Sequence, residues 1–125
     1  MILDTDVLIW GSRGNPRATE ALRKHQGFHL SVVTYMEIVQ GIRNKHELAA
    51  FKQALLIWSV KILQITESIS QHAMFLVERY GLSHSLTPAD ALIAATAIQY
   101  REPLLTSNTK HYAAIPDLRL VRFTP

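Results

Sequence analysis

Two carboxylates stand two positions apart in the apolar run that opens the chain, residues 1–10. Asp4 and Asp6 are flanked there by Ile, Leu and Val, which are residue types typical of a protein core. Burying a carboxylate is costly unless a metal ion, a cationic side chain or several N–H donors compensate its charge. A chain that places both groups against its core therefore has a use for them, and its fold must bring the compensating groups to this point.

Composition bounds the class of protein. The 125 residues suffice for one domain with one core, and a hydrophobic content of 48% argues against disorder. No apolar stretch reaches the roughly 18 residues that a membrane span needs, and the first residues lack the basic flank and cleavage site of a signal peptide. The chain has no cysteine, which excludes disulfides and cysteine-ligated zinc. We expect a single cytoplasmic domain over residues 1–125.

Short apolar segments alternate with amphipathic ones along the chain. Five of them are predicted to be strands: 2–4, 28–30, 60–65, 104–105 and 118–123. Strands that alternate with helices imply crossover connections, so we expect an α/β fold with a parallel sheet of about four to five short strands and helices on both faces. In such sheets ligands bind beyond the carboxyl ends of the strands.

Two of the predicted helices adjoin candidate functional residues. The first begins at its N-cap, Thr66, and is expected to end at Gly81, because glycine commonly follows the last helical residue. A polar loop that contains His84 should follow at residues 82–86. The segment 91–98 is apolar nearly all round, which predicts a central, buried helix.

Four of the ten acidic residues lie in apolar surroundings: Asp4, Asp6, Glu37 and Asp90. Asp4 ends a predicted strand, and Glu37 and Asp90 lie near the starts of helices that can face the same end of the sheet. Like charges brought together repel each other, and a divalent cation is the usual remedy. Oxygen ligands select Mg²⁺ or Mn²⁺ over zinc or copper. Such a metal can activate water and stabilise charge on a phosphoryl group.

For each acid a purely structural role, such as helix capping, is the alternative to a functional one. A hydroxyl residue followed three positions later by an acid, the capping-box pattern, occurs at Thr34-x-x-Glu37 and at Thr87-x-x-Asp90. Asp6 could be the N-cap of the turn that follows it. Ser31 is as good a cap as Thr34, and would place Glu37 inside the helix. Asp4 has no obvious cap to make, so its functional interpretation is the hardest to replace.

Four segments, in order along the chain, resemble the PIN-domain nucleases of the VapC-type toxin branch: 4–9, 31–41, 90–97 and 105–118. The resemblance implies a PIN-like fold and an endoribonuclease that hydrolyses RNA phosphodiester bonds with metal-activated water. The implied cofactor is Mg²⁺, with Mn²⁺ as a plausible substitute. The implied partners are an RNA substrate, a cognate antitoxin and a second copy of the chain in a homodimer, because such nucleases are the toxins of toxin–antitoxin pairs.

The resemblance also assigns residues. Asp4 and Asp90 match the metal-binding aspartates of the family and Glu37 matches its helix acid, so these three are the expected catalytic residues. Where many relatives have a fourth acid this chain has Asn108, whose carbonyl oxygen can bind a metal but brings no charge. Whether one or two metals bind is therefore open. Asp6, where relatives often have asparagine, could partly restore the lost charge.

The remaining candidates are supporting and substrate-binding groups. Thr106 and Ser107 could donate hydrogen bonds to an acid or to a substrate phosphate. His84, Lys110 and His111 are expected beside the site, where they could contact RNA, with a solvated surface position as the alternative for each. The formal net charge of +3 is compatible with a polyanionic partner.

Two other functions fit parts of the pattern. A catalytically weak PIN-like module, inactive for want of the fourth acid, could bind RNA or a protein. A haloacid-dehalogenase-like phosphatase would use Asp4 as its nucleophile and Asp6 as its acid/base. That family also needs a late acidic pair for Mg²⁺, and none follows Asp90 in a suitable place.

Overall fold

Five parallel strands form the centre of the computed structural model, which describes residues 1–125. The strands are β1 (Ile2–Leu3), β2 (His29–Ser31), β3 (Lys61–Leu63), β4 (Leu104–Thr106) and β5 (Leu120–Arg122). Their order across the sheet is β3-β2-β1-β4-β5, and each neighbouring pair is parallel. The predicted α/β fold with a parallel sheet of four to five short strands is confirmed.

Seven helices surround the sheet. They are α1 (Thr5–Ser12), α2 (Pro16–Lys24), α3 (Val32–Gln40), α4 (Lys45–Ile57), α5 (Glu67–His84), α6 (Pro88–Gln99) and α7 (Thr109–Tyr112). None of them combines the length and the apolar character of a membrane span.

Successive strand residues point to opposite faces of the sheet, as the period of a strand requires. Ile2 and Leu104 are buried in one core together with α5, α6 and α7. Leu3 and Leu105, the next residues of the same strands, are buried in a second core with α1 and α2. The two central strands thus carry helices on both faces, and α6 is the buried helix that its apolar sequence predicts.

Helix α5 does not end where the sequence predicts. It continues through Gly81 to His84, so most of the expected polar loop is helical. The residue that ends the helix in the left-handed conformation is Ser85 (φ 54°, ψ 33°), not a glycine. Leu86 follows it and is buried in the core. The anchoring of Leu86 therefore fixes the end of this helix, and the preference of glycine for such positions is overridden.

A network of charges ties the sheet together at the edge opposite to the carboxyl ends of its strands. The Glu102 carboxylate accepts a hydrogen bond from the Met1 ammonium group at 2.6 Å and lies 2.5 Å from Nδ1 of His29. Partial burial raises the pKa of the Glu102 carboxyl, but hydrogen bonds from the N-terminus and His29 outweigh that effect and leave the pKa below its usual value. This network joins β1, β2 and the loop before β4.

We expect Glu102→Gln to lower the free energy of unfolding by about 1–2 kcal/mol near pH 7, because the charge-assisted bonds are lost. A carboxyl whose pKa is lowered by folding stabilises the protein above its unfolded pKa, and this stabilisation is lost as the pH falls through the folded pKa. The difference between variant and unmodified protein should therefore shrink steadily as the pH is lowered from 7 into the acid range in which the Glu102 carboxyl takes up its proton. Urea unfolding over a series of pH values measures it.

The matched control is Glu20→Gln. Glu20 pairs with Arg23 on the surface, where both side chains are exposed, so little change is expected. An equal loss of stability in the two variants, or a Glu102→Gln difference that persists in acid, would contradict the assigned role of the network.

Candidate functional site

Asp4 lies at the carboxyl end of β1, beside the end of β4. The residue is 4% exposed, and its backbone N–H donates to the Leu105 carbonyl at 2.9 Å. One carboxylate oxygen, Oδ1, accepts the Thr5 N–H at 2.8 Å, which makes Asp4 the N-cap of α1. The other, Oδ2, accepts the Thr106 hydroxyl at 2.8 Å. The expectation that Asp4 caps nothing is wrong, because β1 ends at Leu3 and the helix begins directly after Asp4.

Tyr112 belongs to the site, a position that the sequence pattern did not predict. The residue ends the short helix α7 and is fully buried. Its hydroxyl donates to Asp4 Oδ2 at 3.1 Å and to Asp90 Oδ1 at 3.2 Å. A buried tyrosine needs a partner for its hydroxyl. That need was the only sign in the sequence, and it does not name the partner.

Asp90 lies in the first turn of α6. The capping-box interpretation is half right: the Thr87 hydroxyl accepts the Asp90 backbone N–H at 3.1 Å and caps the helix. The Asp90 carboxylate does not return the bond. It is directed to the Tyr112 hydroxyl, and its other oxygen lies 3.6 Å from Nδ1 of His111. The carboxylate is therefore available to the site.

Glu37 lies inside α3, because Ser31 is the N-cap and accepts the Val33 N–H. The capping-box interpretation of this acid is wrong. Its carboxylate accepts the Thr5 hydroxyl at 2.7 Å, and the oxygen of that hydroxyl is 3.1 Å from the Thr34 hydroxyl oxygen. Glu37 is thereby joined to the first residue of α1, directly beside Asp4.

Asp6 is not an N-cap either, because Asp4 takes that position and Asp6 falls within the first turn of α1. Its Oδ2 accepts the Ser107 N–H at 2.9 Å and also the Ser107 hydroxyl. Its Oδ1 is buried and has no hydrogen-bond partner. The bonds from Ser107 confirm that the turn after β4 donates to an acid of the site.

The remaining candidates divide into two groups. Asn108 precedes α7 without capping it by a side-chain hydrogen bond, and Lys110 and His111 lie on α7 itself. All three therefore belong to the same short segment as Tyr112. His84 is different: it ends α5, contacts the Ser83 hydroxyl at 2.7 Å, and has no hydrogen bond or ion pair with any of the four acids.

The acids affect one another electrostatically. Burial, followed by the neighbouring charge of Asp6, raises the pKa of the Asp4 carboxyl from 3.8 to about 6. The hydrogen bonds from Thr106 and Thr5 act in the opposite direction, and Asp90 adds to the rise. Burial and the charges of Asp4 and Asp90 raise the pKa of the Tyr112 phenol, so its hydroxyl stays protonated and donates. The charges of two further carboxylates thus act on the buried Asp4 carboxyl, and Nδ1 of His111 lies beside one of them, Asp90.

The side chains present fit a hydrated divalent cation. No group of three or more His, Cys, Asp or Glu side chains lies close enough together to hold a metal ion. Mg²⁺ does not need such a group, because it usually keeps several waters and is bound through one or two carboxylates. Asp4 and Asp90 supply two carboxylates that are joined through the Tyr112 hydroxyl. Asp6, whose charge acts on Asp4, has one buried oxygen without a hydrogen-bond partner. The donors are all oxygen, which suits Mg²⁺ or Mn²⁺.

Comparison with known proteins identifies the family of the chain. The profile of the PIN domain matches residues 1–116. The chain is 32% identical to the ribonuclease VapC19 of Mycobacterium tuberculosis, over 94% of this chain and 96% of the relative. It is 31% identical to a ribonuclease VapC of Rickettsia bellii, over 97% of this chain and 94% of that one.

Two solved structures are similar to this chain over nearly its whole length. A toxin–antitoxin complex from Klebsiella pneumoniae contains a chain that is 31% identical to this one, with a TM-score of 0.80 and coverage of 96% of this chain and 94% of that chain. DNA-bound VapBC from Salmonella typhimurium also has a TM-score of 0.80, over 97% and 96% of the two chains. Its identity is 22%, so that likeness concerns the fold alone.

Proposed function

This chain belongs to the PIN domain family, and from that premise we propose that it is a metal-dependent endoribonuclease that acts as the toxin of a toxin–antitoxin pair. The proposal agrees with the names of the relatives that it matches over nearly their whole length. The observation that carries it is the pair of carboxylates, Asp4 and Asp90, that meet at one hydroxyl near the carboxyl ends of the parallel strands. That is where sheets of this kind bind their ligands.

Asp4 and Asp90 would hold the metal, which we propose to be Mg²⁺, with Mn²⁺ able to replace it. When bound, it supplies an acidified water as the nucleophile and stabilises the charge that develops on the phosphate. Thr106 and the Thr5 N–H hold the Asp4 carboxylate in one orientation. The hydroxyl of Thr5 holds one oxygen of Glu37, and the exposed position of Glu37 leaves the other oxygen free to orient a water or to accept its proton.

Asp6 and Asn108 are proposed as supporting residues. The amide of Asn108 caps nothing and can offer its carbonyl oxygen, but it brings no charge. Asp6 brings the charge that Asn108 lacks, and one of its oxygens has no partner. With two carboxylates at the centre and a neutral residue at the fourth position, one tightly bound metal is the simplest stoichiometry. His111, whose Nδ1 lies 3.6 Å from Asp90, and Lys110, which precedes it on α7, are the proposed contacts to RNA, whereas no contact supports that role for His84.

We also propose that the chain forms a homodimer, is held inactive by a cognate antitoxin, and acts on RNA in the cytoplasm. The similar chain from Klebsiella pneumoniae belongs to a toxin–antitoxin complex. Large apolar side chains are more than half exposed on α4 (Leu56 and Ile57) and on α5 (Met74 and Phe75), which leaves apolar surface for partners. Light scattering should give the mass of a dimer for the chain alone and a larger mass after the antitoxin is added. A monomer that the antitoxin does not change would contradict both parts.

Membership of the PIN domain family excludes the phosphatase interpretation of Asp4 and Asp6, since the match spans residues 1–116. The catalytically weak binding module stays an alternative within the family. It would bind RNA without cleaving it, and the variants below separate it from the nuclease.

We expect Asp4→Asn and Asp90→Asn each to lower the rate of RNA cleavage by about a hundredfold or more. The reason is that the loss of a carboxylate removes several kcal/mol of metal-mediated stabilisation, and each 1.4 kcal/mol is about tenfold in rate. Excess EDTA should abolish cleavage by the unmodified protein, and added Mg²⁺ or Mn²⁺ should restore it. Gel assays on purified protein and growth after induction measure both effects.

Asp117→Asn is the control, because Asp117 is exposed in the loop before β5 and asparagine tolerates its left-handed backbone (φ 67°). It should cleave like the unmodified protein. Full activity of either site variant, or of the unmodified protein in EDTA, would refute the proposal. RNA binding without metal-dependent cleavage would identify the binding module instead.

A further inference from the structure

We propose that Tyr112 is a positioning residue whose hydroxyl holds Asp4 and Asp90 together so that one divalent cation can contact both. This inference rests on the proposed function. It concerns three separate parts of the chain: Asp4 follows β1, Asp90 lies at the start of α6, and Tyr112 ends α7. The tyrosine hydroxyl makes a hydrogen bond to each of the two carboxylates.

The ring and the hydroxyl of Tyr112 have different tasks. The ring is fully buried in the core that contains α5 and α6. A phenylalanine ring would fill the same space. The hydroxyl adds a polar group to that core, which is costly without hydrogen-bond partners. Its partners are the two acids, so the hydroxyl serves the site and not the packing.

One proton is placed between two acceptors. A phenol has a single O–H to donate, and an ionised carboxylate can only accept. The Tyr112 proton is therefore shared between Asp4 Oδ2, 3.1 Å away, and Asp90 Oδ1, 3.2 Å away. Because one donor is held by both oxygens, the two carboxylates stay close despite their like charges.

The two acids depend on this bond unequally. Asp4 is almost fully buried and keeps the hydrogen bonds from Thr5 and Thr106 if the tyrosine hydroxyl is removed. The Asp90 side chain is 25% exposed, and besides this hydrogen bond its carboxylate has only the ion pair with His111, at 3.6 Å. Without the hydroxyl, repulsion from Asp4 can turn the Asp90 carboxylate toward solvent. The cation would then have to bring Asp90 back, at the expense of binding affinity.

The test is the affinity for Mn²⁺ alone, without RNA, measured by calorimetric titration of the full-length protein. Loss of a group that orients a metal ligand typically weakens metal binding about 10- to 100-fold. We expect that loss in Tyr112→Phe and no change in the control Tyr100→Phe, because Tyr100 is exposed at the end of α6. Unchanged or tighter Mn²⁺ binding by Tyr112→Phe would overturn the inference.

A double variant separates positioning from a general loss of structure. If Tyr112 acts through Asp90, Tyr112→Phe should weaken Mn²⁺ binding little further once Asp90→Asn is present. An equal further loss in that background would overturn the inference. Should Tyr112→Phe not fold, the unmodified protein provides the answer: the NMR resonance of the Tyr112 hydroxyl proton should shift on titration with Mg²⁺. A resonance that does not move would contradict a role beside the metal.

These results are distinguishable from failure of the proposed nuclease. If the unmodified protein cleaves RNA only with metal while Tyr112→Phe binds Mn²⁺ as tightly, the role of Tyr112 is wrong and the nuclease stands. If the unmodified protein binds no Mn²⁺ and cleaves no RNA, both are wrong.

Discussion

The buried charge of Asp4 is the constraint on which the rest of the site depends. The carboxylate of a residue that is 4% exposed must be compensated, yet the nearest charges, those of Asp6 and Asp90, make its ionisation harder. The chain supplies hydrogen-bond donors from Thr5, Thr106 and Tyr112 but no cationic side chain. This partial compensation keeps Asp4 in place and leaves negative charge for a cation to neutralise. Burial of an incompletely compensated carboxylate is unfavourable, and the binding of a cation would remove that penalty.

The fold explains how so many groups reach one point. Because all strands are parallel, the ends of β1 and β4 lie at the same edge of the sheet, with Asp4 after one and Thr106 at the end of the other. The turn after β4 then delivers Ser107 to Asp6, and α7 delivers Tyr112 to Asp4. At the opposite ends of the strands Glu102, in the loop before β4, bonds the N-terminus before β1 and His29 of β2. The central strands are therefore held at both ends.

The sequence predicted what depends on local pattern. The alternation of apolar strands and helices, the buried helix α6, and the placement of Asp4 at a strand end all follow from periodicity and from the types of residue involved. Partners that are distant in sequence were missed: Tyr112 is 108 positions from Asp4, and an aromatic residue in a short helix reads as core. In two places a local sequence rule named one residue for a role that a neighbouring residue takes in the structure. Asp6 matched an N-cap, but Asp4 took that position, and Gly81 matched a helix end, but burial of Leu86 moved the end to Ser85.

In the proposed site Asp4 and Asp90 hold one divalent cation, with Tyr112 beside them. Anomalous X-ray diffraction from crystals soaked in Mn²⁺ is the decisive measurement, since the manganese signal locates the ion without assumptions about activity. We expect one strong peak within ligand distance of both carboxylates, with waters completing the coordination. A peak bound by neither aspartate, or no peak at a Mn²⁺ concentration that supports cleavage, would show that the two aspartates do not hold the cation.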